Sequence, residues 1–174
     1  MRHALGRLVI VAVLAASVGG AIGAPLRGVA LVIGESKYET LPALDNPKRD
    51  ARAMDDMLDA LGFSVDRVLD GDHNKLSAAL ADFVEEAKSA DVALVYYSGH
   101  GTEIGGSDYL VPVDTSLASP ASAGASLVPV APLLDQLAAA VPVTIVLLDA
   151  CRTDAFPPGT LIQLPGTNTA EPPG

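Results

Sequence analysis

Two rhythms of apolar and polar positions run along this chain. Val29-Ala30-Leu31-Val32-Ile33, Asp91-Val92-Ala93-Leu94-Val95-Tyr96-Tyr97 and Val143-Thr144-Ile145-Val146-Leu147-Leu148 are short runs apolar at nearly every position, the pattern of strands buried on both faces of a parallel sheet. A fourth run, Phe63 to Leu69, is less apolar and suits the sheet margin. Between these runs the apolar period lengthens to that of a helix. Asp45 or Asn46 can cap, and Pro47 can open, a helix with Met54, Met57, Leu58 and Leu61 on one face and Gly62 at its end. Leu76, Leu80, Phe83, Val84 and Ala87 mark a second helix after the Asp70-Gly71-Asp72 turn, and Pro132 can open a third with Leu133, Leu134 and Leu137. Asp108 to Val113 reads as a hairpin arm and Leu117 to Ser126 as a Ser/Ala/Gly/Pro linker. Four strands joined by three crossovers predict an α/β fold, a mostly parallel sheet with helices on both faces. No internal repeat or second domain is visible.

Composition narrows the functional classes. The 174 residues, 49% of them hydrophobic, suffice for one domain with an ordinary core, and a single Cys excludes an intrachain disulfide. Eleven basic against 21 acidic side chains give a net charge of −10 with no local basic cluster, which argues against nucleic acid and anionic membranes as partners. Residues 1–23 read as a secretory signal: Arg2, His3 and Arg7 precede an apolar run from Leu8 to Val18, and Ala21-Ile22-Gly23 offers small residues for cleavage. The alternatives are an uncleaved anchor or a misassigned start; the run is shorter than the ~20 residues of a spanning helix. Loss of Arg2 and Arg7 lowers the basic count from 11 to 9 and takes the charge from −10 to −12. The expectation is an exported protein, periplasmic or secreted, without stable membrane association, whose catalytic domain spans residues 24–156 ahead of a Pro/Gly-rich tail over 157–174.

Candidate chemistry lies at two strand ends. In open α/β sheets reactive groups gather past the carboxyl ends of the strands. His100, in Ser98-Gly99-His100-Gly101, follows the third strand, and Cys151, in Asp149-Ala150-Cys151-Arg152, follows the fourth, 51 residues later. Seen alone, such a Cys is a small buried hydrophobe and such a His a loop residue. Together at one rim of adjacent strands they form a thiol with its base, the equipment of acyl transfer from a peptide. His3 lies in the signal and His73 in a polar turn, so neither competes.

Tyr96-Tyr97-Ser98-Gly99-His100-Gly101 and Leu148-Asp149-Ala150-Cys151-Arg152 resemble the His and Cys motifs of caspase-fold cysteine peptidases, whose Q-A-C-[RQG]-G box likewise has its His about 50 residues upstream. Asp149 in place of Gln and Thr153 in place of Gly are closer to the bacterial metacaspase-like branch. Arg27 to Gly34 and Asn46-Pro47-Lys48-Arg49-Asp50-Ala51 are similar to further family segments, so the resemblance spans roughly Arg27 to Phe156. It implies a caspase-like three-layer sandwich. It also implies His100 as general base and Cys151 as nucleophile, with the Gly99-His100-Gly101 backbone and the Cys151 amide as oxyanion donors. Asp50, Ser98 and Asp149 would line a pocket for the Arg or Lys of a peptide or protein substrate, which two carboxylates favour over an acidic side chain. Asp50 can also be read as a helix N-terminal charge, and Asp149, less readily, as a strand-end turn residue.

The sequence departs from that pattern in two places. Glu35 stands where many bacterial relatives have Asn, and the chain stops 23 residues after Cys151, where a full caspase fold has two more strands. Part of the C-terminal sheet is therefore expected to be lacking, and the alternative function is an inactive, caspase-like binding or regulatory domain. A nucleotide-binding α/β domain is a weaker third reading, because Gly34-Glu35-Ser36-Lys37-Tyr38 has neither dinucleotide glycine spacing nor a P-loop. No zinc-ligand spacing is present, so no metal site and no cofactor are expected. Calcium activation stays open without a motif to support it.

Overall fold

The computed structural model describes residues 25–151 and 155–174, with Cys151 described through its backbone; the expected signal segment falls outside the described residues. The first apolar run forms β1 (Gly28–Gly34), and its alternate side chains serve opposite faces of the sheet, as the period of a strand requires. Val29, Leu31 and Ile33 meet Leu76, Leu80, Phe83, Val84 and Ala87 of helix α2 (His73–Ala87) together with Val130, Leu133 and Leu137 of helix α4 (Val130–Ala140). Ala30 and Val32 meet Ala51 and Leu58 of helix α1 (Pro47–Ala60). The result is a helix, sheet, helix sandwich. At Gly34 α1 crosses so closely that a Cβ would lie 2.7 Å from the Pro47 carbonyl oxygen and 2.8 Å from Ala51 Cβ, so glycine there admits the helix.

β2 (Ser64–Leu69), β3 (Val92–Ile104) and β6 (Val143–Cys151) complete a parallel sheet in the order β2, β1, β3, β6. The margin predicted for Phe63 to Leu69 is where β2 lies. β3 outruns β1, whose pairing ends at Gly34 opposite Ser98. Its last residues pair antiparallel with β4 (Ser107–Leu110), the predicted hairpin arm, which pairs in turn with β5 (Val128–Pro129).

Several expectations are corrected. His100 and Cys151 do not follow their strands but lie within them, because β4 and the β3–β6 ladder carry the pairing through both motifs. His73 opens α2 instead of sitting in a turn, with the Asp72 side chain accepting from Lys75 N. The buried stripe of α1 is Pro47, Ala51 and Leu58; Met57 and Leu61 are 48% and 69% exposed because the sheet lies a quarter-turn away. The supposed linker holds α3 (Pro120–Ala125), started by a reciprocal Ser119–Ser122 capping box, and α4 begins two residues before Pro132. β6 is not buried on both faces. Val143, Ile145, Leu147 and Leu148 are 37–48% exposed, since β3 is its partner on one edge and α1 does not reach across it. After Phe156 the chain folds back: Ile162 is buried, bridges Glu171, and joins Tyr38, Leu41, Val111, Val113 and Leu127 in a second core.

Candidate active site

Strand register brings the two motif residues together. His100 and Cys151 are Cα partners in the parallel β3–β6 ladder, and neighbouring strands run about 4.8 Å apart. They sit where the connection leaving β1 turns toward β2 and that leaving β3 leads to β6, the place at which an open α/β sheet forms a crevice. The crevice is a cavity of about 420 Å³ lined by Pro42 and Asp45 from the β1–α1 loop, Asp50 of α1, Ser98, Gly99 and His100 of β3, and Asp149 of β6.

The His100 ring is held at both of its sides. Its Nε2 lies 2.8 Å from the Pro42 carbonyl oxygen; a carbonyl only accepts, so Nε2 carries the hydrogen and, in the neutral ring, Nδ1 keeps the lone pair. The Tyr38 ring lies against the imidazole, centroids 4.4 Å apart at 46°. The backbone is fixed as firmly. His100 N donates to Tyr38 Oη at 2.7 Å, and Tyr97 Oη donates to the His100 carbonyl at 2.6 Å. Burial raises the hydroxyls of Tyr38 and Tyr97 above the ordinary tyrosine range, so both remain neutral donors and acceptors.

The acidic side of the cleft is built from three segments. Asp149 is the Cα partner of Ser98, and its Oδ2 accepts from Tyr96 Oη at 3.3 Å and Ser98 Oγ at 3.4 Å. Burial pushes the Tyr96 hydroxyl up, and the charges of Asp149 and Asp50 add to the effect. Asp50 stands in the first turn of α1 and meets Arg49 at 3.3 Å in an exposed pair, which is weak in water. The loop carrying Pro42 and Asp45 is anchored by Asp70, whose Oδ1 accepts from Ser36 N and Lys37 N and whose Oδ2 meets Lys48 Nζ at 2.7 Å. Burial alone would raise the Asp70 carboxyl; Lys48 and the two amides outweigh it and hold the group below its usual range.

A profile of the caspase domain matches residues 27–172. The chain belongs to the caspase-domain family. It is 35% identical over 86 residues to mucosa-associated lymphoid tissue lymphoma translocation protein 1 of Homo sapiens, and equally to the homologous protein of Mus musculus, covering 49% of this chain and 10% of each relative. The chain thus spans about a tenth of the curated relatives it matches. The crystal structure of the Drosophila initiator caspase Dronc superposes with a TM-score of 0.56 at 13% identity, covering 75% of this chain and 50% of that one; at that identity the likeness concerns the fold.

In this caspase domain, the sequence-predicted residues His100, Gly99, Ser98, Asp50 and Asp149 line one crevice, and the backbone of Cys151 pairs with His100 at its edge. Gly101 is placed differently, lining a small cavity with Tyr109, Leu148 and Ala150. The His100 amide is already committed to Tyr38, which leaves the amides of Gly99 and Cys151 as candidates for an oxyanion. Tyr38, Pro42, Asp45 and Tyr96 were missed as site residues. Pro42 lies 58 and Tyr38 62 residues before His100, and no local pattern announces such contacts. Among the described residues, no group of three or more His, Cys, Asp or Glu could hold a metal ion, and no helix is long and apolar enough to cross a membrane.

Proposed function

We propose that this caspase domain is a cysteine endopeptidase that cleaves after Arg or Lys, with Cys151 as nucleophile and His100 as its base. The observation that carries the reading is the in-register pairing of His100 with Cys151 beside an acid-lined cleft. Because the Nε2 hydrogen is engaged by Pro42, Nδ1 is the atom that takes the thiol proton. The thiolate attacks the scissile carbonyl carbon, and the electron pair of the C=O bond moves to oxygen, where the backbone amides of Gly99 and Cys151 stabilise it. Collapse of that intermediate breaks the C–N bond, and the imidazolium returns its proton to the leaving amine. Water, deprotonated by His100, then hydrolyses the thioester and restores the thiol.

The specificity rests on charge. Tyr96 and Ser98 occupy Oδ2 of Asp149, which leaves Oδ1 for a guanidinium or ammonium group, with Asp50 and Asp45 adding negative potential to the same cleft. A substrate Asp would meet three carboxylates. The sequence signal in residues 1–23 supports action outside the cytoplasm.

Fluorogenic peptides with Arg, Lys or Asp at the cleaved position, with and without calcium, test this beside Cys151→Ala. Cleavage after Arg and Lys that disappears in Cys151→Ala is the expected result. A folded protein that cleaves none of them, or prefers Asp, overturns the reading, and the calcium arm shows whether the ion activates.

A further inference from the structure

Behind the His100 strand lies a buried polar layer that peptide cleavage as derived above does not use. Glu35, the residue after β1, is completely buried. Its Oε1 accepts from Gly71 N at 3.1 Å, while Oε2 has no hydrogen-bond partner among the described residues. The Glu35 amide donates to the Ser98 carbonyl at 2.9 Å, tying the residue to β3 two positions before His100. A Cβ on Gly99 would lie 2.7 Å from Tyr97 Oη, 2.8 Å from Tyr38 Oη and 2.9 Å from Glu35 Cβ. These three side chains therefore converge beneath Gly99. Two of them hold the His100 backbone, Tyr38 at its amide and Tyr97 at its carbonyl.

An ionised carboxylate buried there, with one amide for company, is costly, and the neutral acid costs far less to bury. Burial pushes the Glu35 carboxyl from 4.5 up to about 8, against the lowering effect of the Gly71 amide. Asp70 at the end of β2 and Asp114 beyond β4 push the same way, Lys75 of α2 opposes them, and Tyr38 and Tyr97 face the group as neutral phenols. We propose that Glu35 is a positioning residue for His100: as a neutral acid it completes the layer in which Tyr38 and Tyr97 fix the His100 backbone and ring, and on ionising it loosens that layer. The proposal rests on the peptidase reading for its catalytic meaning only, since the position of His100 is observable without turnover.

The experiment is an NMR pH titration of the full chain with labelled histidine, following the His100 ring and amide from pH 5 to 10, with His3→Gln and His73→Gln to assign the signals. In the wild type His100 should report an inflection near pH 8, absent from Glu35→Gln, which keeps an oxygen for Gly71 N but cannot ionise. Tyr38→Phe keeps the ring yet removes the hydroxyl at the His100 amide, and should remove the inflection from His100. No inflection in the wild type, or its persistence in Glu35→Gln, overturns the proposal; if Glu35→Gln does not fold, persistence in Tyr38→Phe does so. Where cleavage is measurable, the alkaline limb of kcat/KM moves to higher pH in Glu35→Gln. Failure to cleave peptides counts against the peptidase reading and leaves the titration to decide on Glu35.

Discussion

Replacing Glu35 by glutamine should make the protein's stability less dependent on pH, and the size of the effect follows from burial. The carboxyl titrates at about 8 in the native state against an ordinary value of 4.5. At about 1.36 kcal/mol per pH unit this separation amounts to at most about 5 kcal/mol. The native protein retains a proton that the unfolded chain releases above pH 4.5. The contribution of Glu35 is therefore fully present below that pH and is lost as pH rises toward 8. Between pH 5 and pH 7 the wild type should lose about 2–3 kcal/mol relative to Glu35→Gln. For a domain of about 150 residues one kcal/mol moves Tm by roughly 2–4 °C, so the Tm difference between variant and wild type should widen by about 5–10 °C over that interval. Differences in hydrogen bonding between Gln and Glu displace the two curves uniformly and leave the slope untouched. Asp70, held below its usual range, contributes stability above its unfolded value and loses it only in acid, outside this window. Scanning calorimetry at half-unit pH intervals provides the assay. A Tm difference that stays constant from pH 5 to pH 8 would refute the reasoning and show that Glu35 is solvated or paired in the native state.

Three other perturbations have expected outcomes. Asp149→Asn should lower kcat/KM for Arg peptides by roughly 10–100-fold, the effect of removing one charged partner, while leaving folding intact because the side chain is exposed; an unchanged ratio of Arg to neutral-peptide cleavage would remove Asp149 from the pocket. Leu58→Ala should cost about 2–5 kcal/mol in urea unfolding, whereas Met57→Ala, one position away on the exposed side of α1, should stay within about 0.5 kcal/mol. Gly124→Ala would place a Cβ 1.9 Å from the Gln163 carbonyl oxygen. It should therefore expose the segment after Phe156 to limited proteolysis, and equal cleavage rates in the two proteins would argue against the docking of that segment.

The apolar runs and helical periods determined much of this protein. β1, β2, β3 and β6, the helices α1, α2 and α4, and the common rim of His100 and Cys151 are legible because burial on one or both faces is written locally, at periods of two or 3.6 residues. Even the caspase-domain motifs were legible, as short local strings. Tertiary structure decided what depends on partners distant in sequence. β6 reads as a buried strand because its residues are apolar, but which neighbours cover it depends on the reach of α1 and on β3 supplying its pairing edge. The motifs lie within strands because the β3–β6 ladder runs through both of them and β4 returns to pair with the end of β3, events that the glycines around His100 do not foretell. Tyr38 and Pro42, which set the orientation and tautomer of His100, come from the β1–α1 loop about sixty residues upstream, where the sequence shows no periodicity. Glu35 changes most between the two views. In the sequence it stands out only as a carboxylate where many bacterial relatives have Asn, with no role attached, and only the folding of β3 and the Gly71 turn around it removes it from water and turns it into a group that can act on His100.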